Sequence, residues 1–407
     1  MINFSRYATQ AYERCELLAN ISQDSTCVDR RYLTPQHQQV NQQVALWMQQ
    51  AGMKAWQDEA GNQWGIYPSD NNKAQTVVIG SHLDTVPNGG KYDGILGVMT
   101  PLSLIQYFHD NQIALPYNLE LVGFGDEEGT RFGATLLGSC AVAGTWQERW
   151  AKLEDENGIS LAQAMGDFGL DINHIKDAAR NDHNISSFIE FHIEQGPVLE
   201  DQSLAVGIVS GIAGAKRFSI NVTGQAGHAG TVPMSMRKDA LAASSEMILA
   251  IEHCAKAQNI VATVGHLQCR SGAVNVICAQ TAFSLDIRSA DDELRDIALD
   301  LILNEITLIA RRRKVSVDIK ATHQAPAVKC DQQLQEKLAN ALQANGIRPY
   351  TLSSGAGHDT MAMAKICPVA MLFMRCEKGI SHNPAEAVNI SDIAVATQVL
   401  ADFLINY

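Results

Sequence analysis

The chain has 407 residues, 46% of them hydrophobic and 18% charged, and a formal net charge of -13 at pH 7. That length exceeds one ordinary core and the composition is not of the disordered kind, so two folded domains are expected. The acidic balance leaves no basic stripe for a phosphate backbone, the one cluster being Arg311-Arg312-Arg313-Lys314, which argues against a nucleic-acid partner.

The N-terminal stretch "MINFSRYATQAYERCELLANI" mixes charges into an amphipathic pattern and lacks a signal-type apolar core, and no run of about 18 apolar residues occurs. The reading is a cytoplasmic protein with no membrane partner. Nine scattered cysteines form no C-x-x-C pair, which fits reduced thiols used as small buried hydrophobes.

From residue 35 to 212 helix and strand alternate. "HQQVNQQVALWMQQAG" has helical spacing and a glycine stop at Gly52; "TVVIGSH", "NLELVGFG" and "SFIEFHIEQG" read as short buried strands. "DGILGVMTPLSLIQYFHDN" carries a helical stripe in which Pro101 either kinks the helix or restarts it. Such alternation implies an α/β domain with a largely parallel sheet and helices on both faces. Between 213 and 329 the order becomes β-α-β-β-α-β, a ferredoxin-like unit with strands at "KRFSINVTG", "NIVATVGHLQC", "TAFSLDIRS" and "KVSVDIKATH". After 330 the style of the first half returns. The expected domains are therefore 1–212 with 330–407, and an inserted 213–329.

Four places put a potential metal ligand at or just past the carboxyl end of an apolar strand, or in "GISHNPAE": His82 with Asp84 and Asp93, Glu127 with Glu128, His192, and His382. In parallel sheets those strand ends converge on one crevice, so groups distant in sequence can meet there. Each has an ordinary structural explanation when taken alone. Together, three histidines and two carboxylates without thiolate suit zinc, manganese, cobalt or nickel, in number enough for two ions sharing a bridging group. Asp93, placed by Gly89-Gly90 and Gly94, is the expected bridge. Asp84, two residues from His82, is expected to accept the ring's other N–H. If Glu128 coordinates, Glu127 stays free beside the ions as a general base.

These residues, with "GQAGHAGTVPM" and "SGAGHD" in the same order, resemble the hydantoinase/carbamoylase branch of the M20-type metallohydrolases, which holds N-carbamoyl-L-amino acid hydrolases, β-ureidopropionases and allantoate amidohydrolases. The resemblance implies two divalent ions per subunit, one on His82, Asp93 and His192, the other on Asp93, Glu128 and His382, with Glu127 as base. His192 stands where the peptidase branch usually has a carboxylate. The resemblance further makes the inserted domain a lid and dimerisation domain, and the protein a homodimer. It implies that His228 polarises the scissile carbonyl and that Arg217, Asn275 and Arg288 hold a small carboxylate bearing a ureido group, with Gln195 and Gly357 as lesser contacts. Alternation in "AFSLDIRS" puts Arg288 on the face opposite Phe283, Leu285 and Ile287, available to a ligand or paired with Asp286. The expected reaction is hydrolysis of a terminal ureido C–N bond, with allantoate favoured over N-carbamoyl amino acids on "KYDGILG" and "GHAGTVPM". The alternatives are a dipeptidase or acylamino-acid deacylase, and a solute-binding or scaffold protein that has kept the fold.

Overall fold

The apolar run Thr76-Val77-Val78-Ile79 belongs to a strand, Thr76–His82, whose seven residues are all buried. Strands covered on both faces lose polar alternation, and Val369–Met374 is buried throughout in the same way. The computed structural model describes residues 4–71, 73–180, 184–270 and 272–407. The chain forms two compact units, Met1–Ser210 with Cys330–Leu352 and Gly357–Tyr407, and Gly211–Lys329 with Ser353–Ala356.

In chain order the first strands are β1 (Lys54–Gln57), β2 (Gln63–Tyr67), β3 (Thr76–His82), β4 (Asn118–Phe124), β5 (Ile185–Ile193) and β6 (Val206–Ile212). The inserted unit carries β7 (Gly214–Thr223), β8 (Gly227–His228), β9 (Val261–Thr263), β10 (Leu267–Cys269), β11 (Val276–Ile277), β12 (Gln280–Ser289) and β13 (Ser316–Ala325); then come β14 (Val328–Lys329), β15 (Thr351–Ser354) and β16 (Val369–Met374).

The large sheet runs β1-β2-β4-β3-β5-β16-β6, with β14 paired to Gly211 and Ile212 at the end of β6 and β15 also on β6. Its four central strands, β4, β3, β5 and β16, are parallel, whereas β1, β2 and β6 join antiparallel. The parallel register aligns the carboxyl ends of those four strands on one edge. Helix Pro35–Gln50 starts with Pro35 in its first turn and the Thr34 hydroxyl accepting the His37 N–H. Pro101 lies within one continuous helix, Ile95–Asp110, rather than restarting it.

The inserted unit has the order β10-β12-β7-β13, with β9 also on β12, and helices Ala240–Gln258 and Asp292–Arg313. Asp239 and Asp291 cap these helices by accepting two backbone N–H groups each. Ile220, Val222, Phe283, Leu285 and Ile287 form its core with Met247, Ile251 and Ile302 of the helices. The strand expected over "NIVATVGHLQC" is broken. Thr263 pairs with Asp286 and Leu267 with Phe283, so this strand advances four residues against its partner's three, and the surplus is taken up around Gly265. Among the described residues no helix is long and apolar enough to cross a membrane.

Candidate active site

His82 is the last residue of β3, Glu127 and Glu128 follow the end of β4, His192 is the penultimate residue of β5, and His382 lies beyond β16. The shared edge of four parallel strands therefore gathers them. Asp93 sits at their centre, and its two oxygens face different partners. Oδ1 is 3.2 Å from His192 Nε2 and 4.0 Å from His82 Nε2, while Oδ2 is 3.0 Å from His382 Nε2, which in turn is 3.4 Å from Glu128 Oε1. Among the described residues, three groupings have ligand atoms within 4.8 Å of one another: His82, Asp93 and His192; Asp93, Glu128 and His382; and His82, Glu127 and Glu128.

This donor set fits divalent metal. Asp93 Oδ1 is buried with the His192 Nε2 as its near neighbour, and His82 Nε2 lies only 3.5 Å from His192 Nε2. Donors so converged suit a shared cation. Charge points the same way. Burial and the charges of Glu128, Asp359, Asp84 and Glu190 push the Glu127 carboxyl well above the usual carboxylate range. Burial and Asp93 push Glu128 up to about 8. Burial would also raise Asp93, but the imidazoles of His192 and His382 outweigh it and hold Asp93 well below that range.

The two glycines near Asp93 are required for space. Gly94 has φ +70°, and a Cβ there would come within 2.3 Å of the His82 ring; one at Gly90 would meet the Glu386 carboxylate at 2.1 Å. Asp126, Gln195 and His382 also have positive φ, 59°, 57° and 53°. A positive φ in a non-glycine residue persists where its surroundings hold it.

Asp84 departs from expectation. His82 Nδ1 lies 3.0 Å from the Asp84 main-chain oxygen but 3.7 Å from its carboxylate. The carboxylate instead accepts the N–H of Glu127 at 3.1 Å and of Glu128 at 3.2 Å. The tight turn after β3 offers the carbonyl first, which leaves the side chain to hold the acidic loop. Gln195 donates to Asp93 Oδ2 at 2.9 Å, and Gly357 lies beside Glu127, whose Oε1 would be 3.8 Å from a Cβ there.

In the inserted unit, the other candidates form two groups. His228 and Asn275 are neighbours, since β8 pairs with β11 and the Ala229 N–H donates to the Asn275 carbonyl at 3.0 Å. His228 Nδ1 accepts the Gly230 N–H at 3.0 Å, so the proton of a neutral ring sits on Nε2. Arg217 and Arg288 meet on Asp286. Arg217 Nε donates to it at 2.8 Å, Arg288 donates through Nε at 2.8 Å and Nη2 at 2.9 Å, and Arg288 Nη1 reaches the Gly355 carbonyl at 2.6 Å. Phe283, Leu285 and Ile287 are buried on the other face of β12. Both arginines line a cavity of about 750 Å³ within this unit, together with Ser284, Thr263 and Phe218.

The sequence of residues 78–406 matches the profile of peptidase family M20/M25/M40. The chain belongs to this family. Among its M20 relatives, an N-carbamoyl-L-amino acid amidohydrolase of Geobacillus stearothermophilus is 38% identical over 379 residues, 93% of each chain. An allantoate deiminase of Arabidopsis thaliana is 36% identical, over 97% of this chain and 81% of that one. A crystal structure of a hydantoinase/carbamoylase family amidase from Burkholderia multivorans superposes with a TM-score of 0.93 at 28% identity, covering 98% and 97%. This M20 chain is a hydrolase.

Several buried residues around this candidate site were not singled out from sequence. Glu190, fully buried in β5, accepts from Ser81 Oγ and from the Thr360 N–H and hydroxyl. A carboxylate two residues before His192 in an otherwise apolar run was its available signal. Arg30, also buried, donates from Nε to the carbonyl of Leu83, between His82 and Asp84. Glu386, in the quoted "GISHNPAE", accepts the N–H groups of Tyr92 and Asp93.

Proposed function

We propose that this M20 hydrolase is a di-metal amidohydrolase that cleaves the terminal ureido C–N bond of a small carboxylate. The observation that carries the reading is Asp93, whose two oxygens face two separate groups of donors with the buried Glu127 beside them. His82, Asp93 and His192 would hold one ion, and Asp93, Glu128 and His382 the other. Zinc, manganese, cobalt or nickel suits such a donor set, and two divalent ions supply Lewis acidity toward the scissile carbonyl and acidify the attacking water.

The chain's own residues do the rest. Glu127, held by its N–H on Asp84, takes a proton from the water as it attacks and returns it to the departing amine. Burial and the neighbouring carboxylates raise its proton affinity, and divalent charge beside it would lower it again, leaving a carboxylate able to take and return a proton. His228 donates from Nε2 to the developing oxyanion. Arg217 and Arg288, which meet on Asp286, and Asn275 would hold the substrate's carboxylate and ureido groups, with Gln195 and Gly357 as lesser contacts. For an N-carbamoyl amino acid the products are the amino acid, ammonia and carbon dioxide. The relatives bear both names, so allantoate and N-carbamoyl-L-amino acids are the substrates to compare first. A homodimer formed through the inserted unit belongs to the same reading, supported by the exposed Met234, Met236, Leu249 and Val274.

The test is ammonia release by metal-loaded protein from allantoate, N-carbamoyl-β-alanine and a panel of N-carbamoyl-L-amino acids, with hippurate and a dipeptide as controls. Turnover confined to the ureido compounds is expected. Turnover only of the controls would make the enzyme a deacylase or dipeptidase, and none at all would defeat the reading.

A further inference from the structure

Asp93 can bridge only if its carboxylate is held broadside to both donor groups, and the loop that carries it begins with two glycines. The side chain that fixes this loop comes from the far end of the chain. Glu386 Oε1 accepts the backbone N–H of Tyr92 at 2.8 Å and of Asp93 itself at 3.1 Å. Its other oxygen accepts the Ser381 hydroxyl at 3.1 Å, and that hydroxyl also lies 3.0 Å from Asp93 Oδ2. Glu386 is 4% exposed, and it occupies the space that a Cβ at Gly90 would need.

The loop that carries Glu386 also carries His382, a donor to Oδ2 of Asp93. One carboxylate therefore ties together the loop of the bridging residue and the loop of a ligand found only in the second group. We infer that Glu386 is the positioning residue of the bridge, setting the direction of Asp93 and the distance of His382 from it, and that binding of the second ion depends on it. The inference rests on the di-metal reading above. The role requires an acceptor for two N–H groups, which an amide oxygen also supplies and a methyl group does not. Groups that orient metal ligands commonly contribute about 10–100-fold to affinity or activity when removed.

The experiment titrates the metal-free full chain with Mn²⁺, following uptake by calorimetry and the coupling of the two ions by electron paramagnetic resonance. The parent should take up two ions per chain with a spin-coupled spectrum. Glu386→Ala should bind the second ion at least about tenfold more weakly and show the spectrum of isolated Mn²⁺. Gly90→Ala, which keeps the carboxylate but drives it from its place, should do the same, and carries the test should Glu386→Ala fail to fold. Glu386→Gln should stay near the parent. Two tightly held, coupled ions in Gly90→Ala and in any folded Glu386→Ala, or a Gln variant as impaired as the Ala variant, overturns the inference alone. A parent that takes up fewer than two ions overturns the di-metal reading and the inference with it.

Discussion

Asp84 grips Glu127 by the backbone: the Glu127 N–H donates to Asp84 Oδ1 at 3.1 Å, and the next N–H, that of Glu128, to Oδ2 at 3.2 Å. One buried carboxylate thereby sets the direction of both the proposed base and a proposed ligand. In Asp84→Asn one acceptor becomes an NH₂ group facing an N–H, and the loop must shift. Activity on the ureido substrate should fall about 10–100-fold, with kcat affected more than metal content, because His82 keeps its contact to the residue 84 carbonyl. Equal kcat in parent and variant would show that the acidic loop does not need this anchor.

Glu127 itself separates chemistry from metal binding. Glu127→Gln preserves the volume of a buried side chain and removes its proton affinity. Metal content by elemental analysis should match the parent while kcat falls about 10²–10⁴-fold, the usual contribution of a general base. Unchanged turnover removes Glu127 from the mechanism.

Arg288 tests substrate recognition in the inserted unit. Its Nε, Nη1 and Nη2 each donate one N–H, two to Asp286 and one to the Gly355 carbonyl, leaving the second N–H of each Nη for a ligand, a fork that lysine cannot reproduce. Arg288→Lys should raise KM by about tenfold, some 1.4 kcal/mol, with a smaller change in kcat, the pattern of lost uniform binding. A variant with the parent's KM would place the substrate carboxylate elsewhere.

Much of the candidate site was legible because its possible donors are chemically distinctive and each of the sheet-borne ones closes an apolar run of strand length: His82 after "TVVIGS", His192 in "FIEFHI". The catalytic fold followed from the same runs, and the inserted unit from its changed order of elements. What could not be read depended on contacts made in three dimensions. Glu386 reaches Tyr92 across 294 residues, and no local pattern announces it. From sequence Gly90 and Gly94 serve only to place Asp93, but their need is for room against Glu386 and His82. Asp84 has the spacing of a partner for His82, and only the turn geometry shows the carbonyl taking that place. The break between β9 and β10 is a one-residue surplus against β12, invisible without the partner strand.

His37 provides a stability prediction away from the candidate active site. It is fully buried at the start of helix Pro35–Gln50, where Nδ1 accepts the Leu33 N–H at 3.2 Å. Protonation would put a proton where that N–H points. Burial, with Arg30 and Arg131 nearby, pushes its pKa down from 6.5 to about 3. A folded pKa below the unfolded one means that the unfolded chain binds the proton first. The associated stability is therefore whole above pH 6.5 and is lost as pH falls from there toward 3, with an upper bound on the order of 5 kcal/mol. Asp58 works in the opposite sense: burial, despite bonds from Asn62 and Trp64, raises it to about 6, so its term favours the folded chain as pH drops through that value. Comparing parent with His37→Gln isolates the histidine, because Asp58 is common to both. The parent's melting temperature should fall more steeply than the variant's between pH 7 and 4.5, narrowing the gap between them. Parallel curves over that range would mean that His37 is protonated as easily in the folded chain as in the unfolded one.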